Sequence, residues 1–92
     1  MIVEETFAYR RGIDVESALL ERMPSFECPP RSVVRLGKNV KYLFDGDSWV
    51  LLRVSGTEPV VRVFVETENP RKADGYLSIV DRFIRSLDGV CV

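Results

Sequence analysis

Two apolar, alternating runs meet at a tight connection, and they leave this chain few folds to choose from. Ser48 to Arg53 enters the connection and Val60 to Glu66 leaves it. Both runs are rich in β-branched and aromatic residues, which suit a pleated, half-buried surface. Side chains alternate along a strand, so Val61, Val63 and Val65 face one way and Val60, Arg62 and Phe64 the other. Val40 to Phe44 alternates just as cleanly, with Val40, Tyr42 and Phe44 on one face. It is followed by Asp45-Gly46, a hairpin signal because both residues tolerate positive φ. Strands joined by such short turns pair antiparallel.

The connection reads Arg53-Val54-Ser55-Gly56-Thr57-Glu58-Pro59-Val60-Val61-Arg62. Two guanidinium groups flank two hydroxyls, a glycine and several backbone N–H groups. Arginine forks match phosphate oxygens in bidentate geometry. Successive loop amides form a nest of positive partial charge. Gly56 permits backbone angles or close approaches that a Cβ blocks, and Pro59 stiffens the exit. These residues make an anion cradle with phosphate as its natural guest. By themselves they also fit a plain turn between strands with solvated arginines.

The remaining elements are punctuated by proline and glycine. Residues 2–9 partly alternate and form a strand. Asp14 or Ser17 caps a short helix over Val15 to Met23, with Ala18, Leu19 and Leu20 as its apolar side, and Pro24 ends it. Pro29-Pro30 enforces an extended link. Arg31 to Leu36 is a strand and Gly37-Lys38-Asn39 a turn. Asn69-Pro70 is a helix start. Ala73, Tyr76, Leu77, Val80, Phe83, Ile84 and Leu87 then recur at helical spacing, and Asp88-Gly89 is the expected stop. The pattern predicts an α+β fold: an antiparallel sheet of four strands, or of five, with two helices on one face. The expectation is one domain over residues 1–92.

Charge is unevenly spread. Residues 1–28 hold three basic and six acidic side chains, whereas residues 29–62 hold six basic and three acidic ones, so the positive stretch coincides with the loop. Such focusing suits a small anionic ligand and falls short of the broad basic face that nucleic acid requires. The absence of histidine excludes imidazole catalysis and histidine metal sites. Cys28 and Cys91 are too sparse for a zinc cluster, and free thiols in a cytoplasmic protein are expected over a disulfide. No run is long and apolar enough to span a bilayer.

The stretch Trp49 to Glu66, with Arg53, Ser55, Gly56, Thr57, Glu58, Pro59 and Arg62 at its fixed positions, closely resembles the C-terminal domain of the α-D-phosphohexomutases. These are the phosphomannomutases, phosphoglucomutases and phosphoglucosamine mutases, whose last domain carries an Arg-x-Ser-Gly-Thr-Glu-Pro-x-x-Arg phosphate loop. The resemblance covers about residues 39–87 and is loose over 1–38. Val54 departs from the pattern, since many members have proline there; both residues suit an extended backbone. The resemblance implies a fold like the TATA-binding-protein half-repeat. It also admits an alignment in which Ser17 to Pro24 matches the helix and linker before that domain, which makes residues 1–30 linker-derived.

By that resemblance, the parent enzyme moves a phosphoryl group between the anomeric and terminal oxygens of a hexose, and this domain grips the phosphate that is not reacting. Arg53 and Arg62 carry charge recognition, and Ser55, Thr57 and the amides of Gly56 and Thr57 supply neutral donors. Glu58 and Pro59 shape the loop, and the Glu58 carboxylate is expected to accept loop hydrogen bonds or to pair with an arginine. The family's phosphoserine loop contains histidine and has no counterpart here. Asp45-Gly46-Asp47 imitates only the start of its magnesium loop and is read as a hairpin turn. Phosphoryl transfer needs a nucleophile, in-line positioning and charge neutralisation, and this chain offers the last alone. No catalytic or metal-binding residue is therefore assigned in this chain, and magnesium is expected in the parent's other domains. Trp49 and Phe64 are expected to pack in the core. The expected partners are a hexose phosphate and the remaining mutase domains, in cis or in trans, with no nucleic acid and no membrane. A stand-alone phosphosugar-binding module, or an interaction domain with a vestigial loop, remains open beside this reading.

Overall fold

A computed structural model describes residues 1–87. Its frame is one antiparallel sheet of five strands: β1 (Ile2–Ala8), β2 (Ser32–Leu36), β3 (Asn39–Leu43), β4 (Trp49–Val54) and β5 (Val60–Glu66). Their spatial order is β1-β5-β4-β3-β2. The chain starts on one edge, crosses the sheet through α1 (Val15–Glu21), and returns as a four-strand meander that ends beside its own first strand. β4 and β5 are thereby interior strands, hydrogen-bonded on both sides. The expected anion loop joins these two. After β5, α2 (Pro70–Ser86) folds back over the sheet.

One face carries the core. Val40, Tyr42 and Phe44, then Val50, Leu52 and Val54, then Val61, Val63 and Val65 are all buried, as the alternation predicts. Val15 and Leu19 of α1 and Ala73, Val80, Phe83 and Ile84 of α2 close the same cluster. Both helices therefore cover one face of an α+β fold, an arrangement compatible with the TATA-binding-protein-like layout. The opposite face has no helix. Phe26, in the link before β2, packs within 5.1 Å of the Tyr42 ring and 5.0 Å of the Phe44 ring and seals the core beside α2.

One open choice is decided and three local expectations change. Asp14, not Ser17, is the cap of α1: its carboxylate accepts the Ser17 N–H at 3.1 Å and the Ser17 hydroxyl at 2.7 Å. These bonds hold the Asp14 carboxyl below its ordinary range. The helix ends at Glu21 rather than Met23, because Pro24 disfavours helical angles at Met23 and Arg22 is already extended. Its buried side is Val15 and Leu19, one turn apart, while Leu20 is 69% exposed. The β3–β4 turn is longer than a two-residue hairpin: the Phe44 N–H donates to the Ser48 carbonyl, and Gly46 and Asp47, not Asp45, take positive φ.

Trp49 and Phe64 lie on the helix-free face rather than in the core. They share the parity of Leu51, Arg53 and Arg62, and each carries a cation above its ring: Lys41 Nζ at 4.5 Å from Trp49 and the Arg53 guanidinium at 5.7 Å from Phe64. The stop expected at Asp88-Gly89, and the pairing of Cys91, lie outside the described residues. Cys28 is exposed.

Tyr42 is fully buried, and its hydroxyl has no hydrogen-bond partner among the described residues. Burial pushes its phenol up to about 12, opposed by the nearby Arg35 charge. The folded state thus favours the neutral phenol. That contribution is complete below the unfolded value near 10 and is lost as pH rises from there towards 12. Tyr42→Phe removes an unsatisfied buried group, whose usual cost is about 1–3 kcal/mol. The variant should be at least as stable as wild type at neutral pH and should lose less stability between pH 9 and 11. Chemical denaturation at the two pH values checks this. A clearly less stable variant shows that the hydroxyl has a partner.

Candidate functional site

The register of β4 on β5 sets the site. Arg53 pairs with Arg62 and Val54 with Val61, so the two valines enter the core while both arginines project from directly opposite positions on the helix-free face. Both arginines are exposed. Arg53 Nε donates to Asn39 Oδ1 at 3.4 Å, in the next position across the sheet. Neither arginine forms an ion pair among the described residues. Like charges directly opposite each other on a sheet are destabilising, so this pair is costly to the bare fold.

The loop closes just beyond the arginines. The Ser55 N–H donates to the Val60 carbonyl at 3.0 Å, and the Val60 N–H to the Glu58 carbonyl at 2.8 Å. Ser55 Oγ accepts the N–H groups of Thr57 at 3.3 Å and Glu58 at 3.2 Å. Ser55 is thus a shaper of the loop, and its hydroxyl proton stays available for donation. The Gly56 N–H and the Thr57 hydroxyl make no hydrogen bond among the described residues, and both residues are exposed. The Pro59 carbonyl accepts the Tyr9 N–H at 2.9 Å, which ties the loop exit to β1. Glu58 acts through its backbone: its exposed carboxylate makes neither the loop hydrogen bond nor the arginine pair expected of it.

The φ of Gly56 is not positive, and the nearest neighbour to a side chain at that position is the tip of Lys38. A Cβ there would stand 3.1 Å from Lys38 Nζ. Lys38 sits in the β2–β3 turn, and its carbonyl accepts the Val54 N–H at 3.1 Å. Proline at position 54 has no N–H and could not make that bond. Sequence reasoning took Gly37-Lys38-Asn39 only as a turn and missed both Lys38 and Asn39 as neighbours of the loop. The signal was present: counting outward along the hairpin from Gly46 lands Asn39 on Arg53 and Lys38 beside Val54.

The loop lies on an open rim. The largest clefts are elsewhere, among them one of about 320 Å³ lined by Cys28, Phe44, Lys72 and Tyr76. Asp45 and Asp47 belong to the hairpin turn at the far end of the sheet from the loop.

Residues 15–82 match the family described as phosphoglucomutase/phosphomannomutase, C-terminal domain. The chain belongs to that family. The matched stretch begins at Val15 and so includes α1 and β2. Among similar proteins, a phosphoglucomutase/phosphomannomutase of Thermococcus kodakarensis is 51% identical over 39 residues, covering 42% of this chain and 8% of that protein. A probable phosphoglucosamine mutase of Methanopyrus kandleri is 42% identical over 45 residues, covering 45% of this chain and 10% of the relative. A probable phosphoglucosamine mutase of Methanosphaera stadtmanae is 35% identical over 48 residues, covering 52% of this chain and 11% of the relative. The matched segments thus span about a tenth of these relatives. No solved structure gives a significant match. No helix among the described residues is long and apolar enough to cross a membrane.

In this mutase C-terminal domain the arginine pair should be dispensable for folding. Arg53→Ala and Arg62→Ala should each melt at or above the wild-type temperature, by up to about 1 kcal/mol in stability. Added salt should stabilise wild type more than either variant, because it screens the repulsion. Thermal melts at two salt concentrations test this. Unfolding of either variant assigns that side chain to the scaffold.

Proposed function

We propose that this chain is the phosphate grip of a phosphohexomutase. The observation that carries the reading is the Arg53–Arg62 pair: two arginines in direct register beside a loop with unengaged donors, and no carboxylate paired with either among the described residues. A phosphate dianion removes the repulsion and accepts both forks. The Gly56 N–H and the hydroxyls of Ser55 and Thr57 supply further donors. The two arginines stand on interior strands, so the ligand meets a preset geometry.

The substrate of the whole enzyme is then a hexose phosphate, and the grip holds its non-reacting phosphate. Binding energy from that remote group orients the reacting end. The nucleophile, the magnesium ion and the sugar-reading groups belong to other mutase domains, in cis or in trans. Within this chain Ser55 has no base: its oxygen accepts loop amides, and the Glu58 carboxylate makes no hydrogen bond to it. A cytoplasmic setting goes with this reading, supported by cysteines too few for a disulfide framework.

A single open loop cannot surround its ligand, so phosphate should bind with a Kd on the order of millimolar, about −4 kcal/mol. In a phosphate titration, amide shifts should concentrate at Ser55 to Glu58 and fade with rising salt. Arg53→Ala and Arg62→Ala should each reduce the response. Shifts confined to another surface, such as the cleft beside Tyr76, contradict the reading.

A further inference from the structure

We infer that Lys38 is a third cationic ligand of the same phosphate, opposed by Glu16. The inference rests on the phosphate reading of the loop. Lys38 is fixed to the site by its backbone, through the bond from the Val54 N–H to its carbonyl. Its ammonium lies against the loop, 3.1 Å from where a Cβ on Gly56 would stand.

Lys38 approaches from a different side than the arginines. Arg53 and Arg62 rise from the helix-free face. Lys38 Nζ lies 3.3 Å from Glu16 Oε1, and Glu16 belongs to α1 on the helix-covered face. The loop is flanked by cations on both sides, which suits a tetrahedral anion better than two coplanar forks. An ammonium adds a compact point charge with three rotatable donors.

Glu16 sets the resting state of this lysine. Both side chains of the pair are about half exposed, 49% and 44%, so the bridge is weak and yields readily. A phosphate at the loop competes for the same ammonium and carries more charge than the carboxylate. The Glu16 carboxylate also repels that phosphate directly. Glu16 therefore lowers the loop's affinity, and Lys38 raises it.

The test is a titration of the whole chain with inorganic phosphate, followed by loop amide shifts and by the side-chain signals of Lys38. Lys38→Gln should weaken binding about two- to fivefold. Glu16→Gln should tighten it about twofold, and most of that gain should vanish in the Glu16→Gln/Lys38→Gln double variant. Lys38→Arg should recover part of the affinity. The Lys38 side-chain signals should shift with the same Kd as the loop amides. If wild type and Lys38→Gln bind equally at Ser55 to Glu58, the role of Lys38 is overturned while the phosphate reading stands. If phosphate does not move the loop amides even in wild type, both fall together. Lys38 and Glu16 are exposed, and their one side-chain contact is a weak solvent-screened bridge to each other, so these variants should keep the fold.

Discussion

The register between β4 and β5 is the constraint on which the rest of this structure depends. Val54 and Val61 are opposite each other and both buried, as are Leu52 with Val63 and Val50 with Val65. A slip of one residue would turn every one of these side chains out to water and drive Arg53 or Arg62 into the core. Burying the valines therefore forces the arginines together on the other face. The hydrophobic effect drives that burial, while electrostatics opposes the arrangement it creates. Two arginines held in register without an ion pair among the described residues are what the proposed anion would neutralise.

The same economy extends along the loop. Ser55 holds the amides of Thr57 and Glu58, the Pro59 carbonyl is tied to β1, and the Val54 N–H is tied to the β2–β3 turn. Every one of these bonds runs to a neighbouring strand or across the loop itself. The loop is consequently hydrogen-bonded to the structure around it, though it lies on the rim of the molecule. Its openness has the opposite consequence for affinity. A site with one wall orients a ligand and holds it weakly, which is the division of labour expected of a domain matched to about a tenth of its relatives.

Much of this was legible in the chain itself. The alternation of Val40, Tyr42 and Phe44 and of Val61, Val63 and Val65 named the buried face, and the spacing from Ala73 to Ile84 named the helix that covers it. Local periodicity reports those facts directly. What escaped notice depended on contacts between distant segments. β1 was recognisable as a strand, but its place beside β5 follows from the crossover of α1, which no local pattern encodes. Trp49 and Phe64 were expected in the core on residue type, and parity overruled type. The apolar side of α1 was misjudged because Leu20 counts as hydrophobic wherever it points. Glu58 was assigned a side-chain contact that its backbone makes instead, and Lys38 was passed over because a turn residue has no periodicity to give it a direction.

The central claim is that the loop between β4 and β5 is a phosphate site built by this register. A crystal structure of the chain grown in a high concentration of a hexose phosphate tests it most directly. The account predicts a phosphate group within hydrogen-bonding distance of both the Arg53 and Arg62 guanidiniums and of the Gly56 amide, with the sugar projecting into solvent. Phosphate bound at another surface, or at the loop with both guanidiniums turned away, would contradict it.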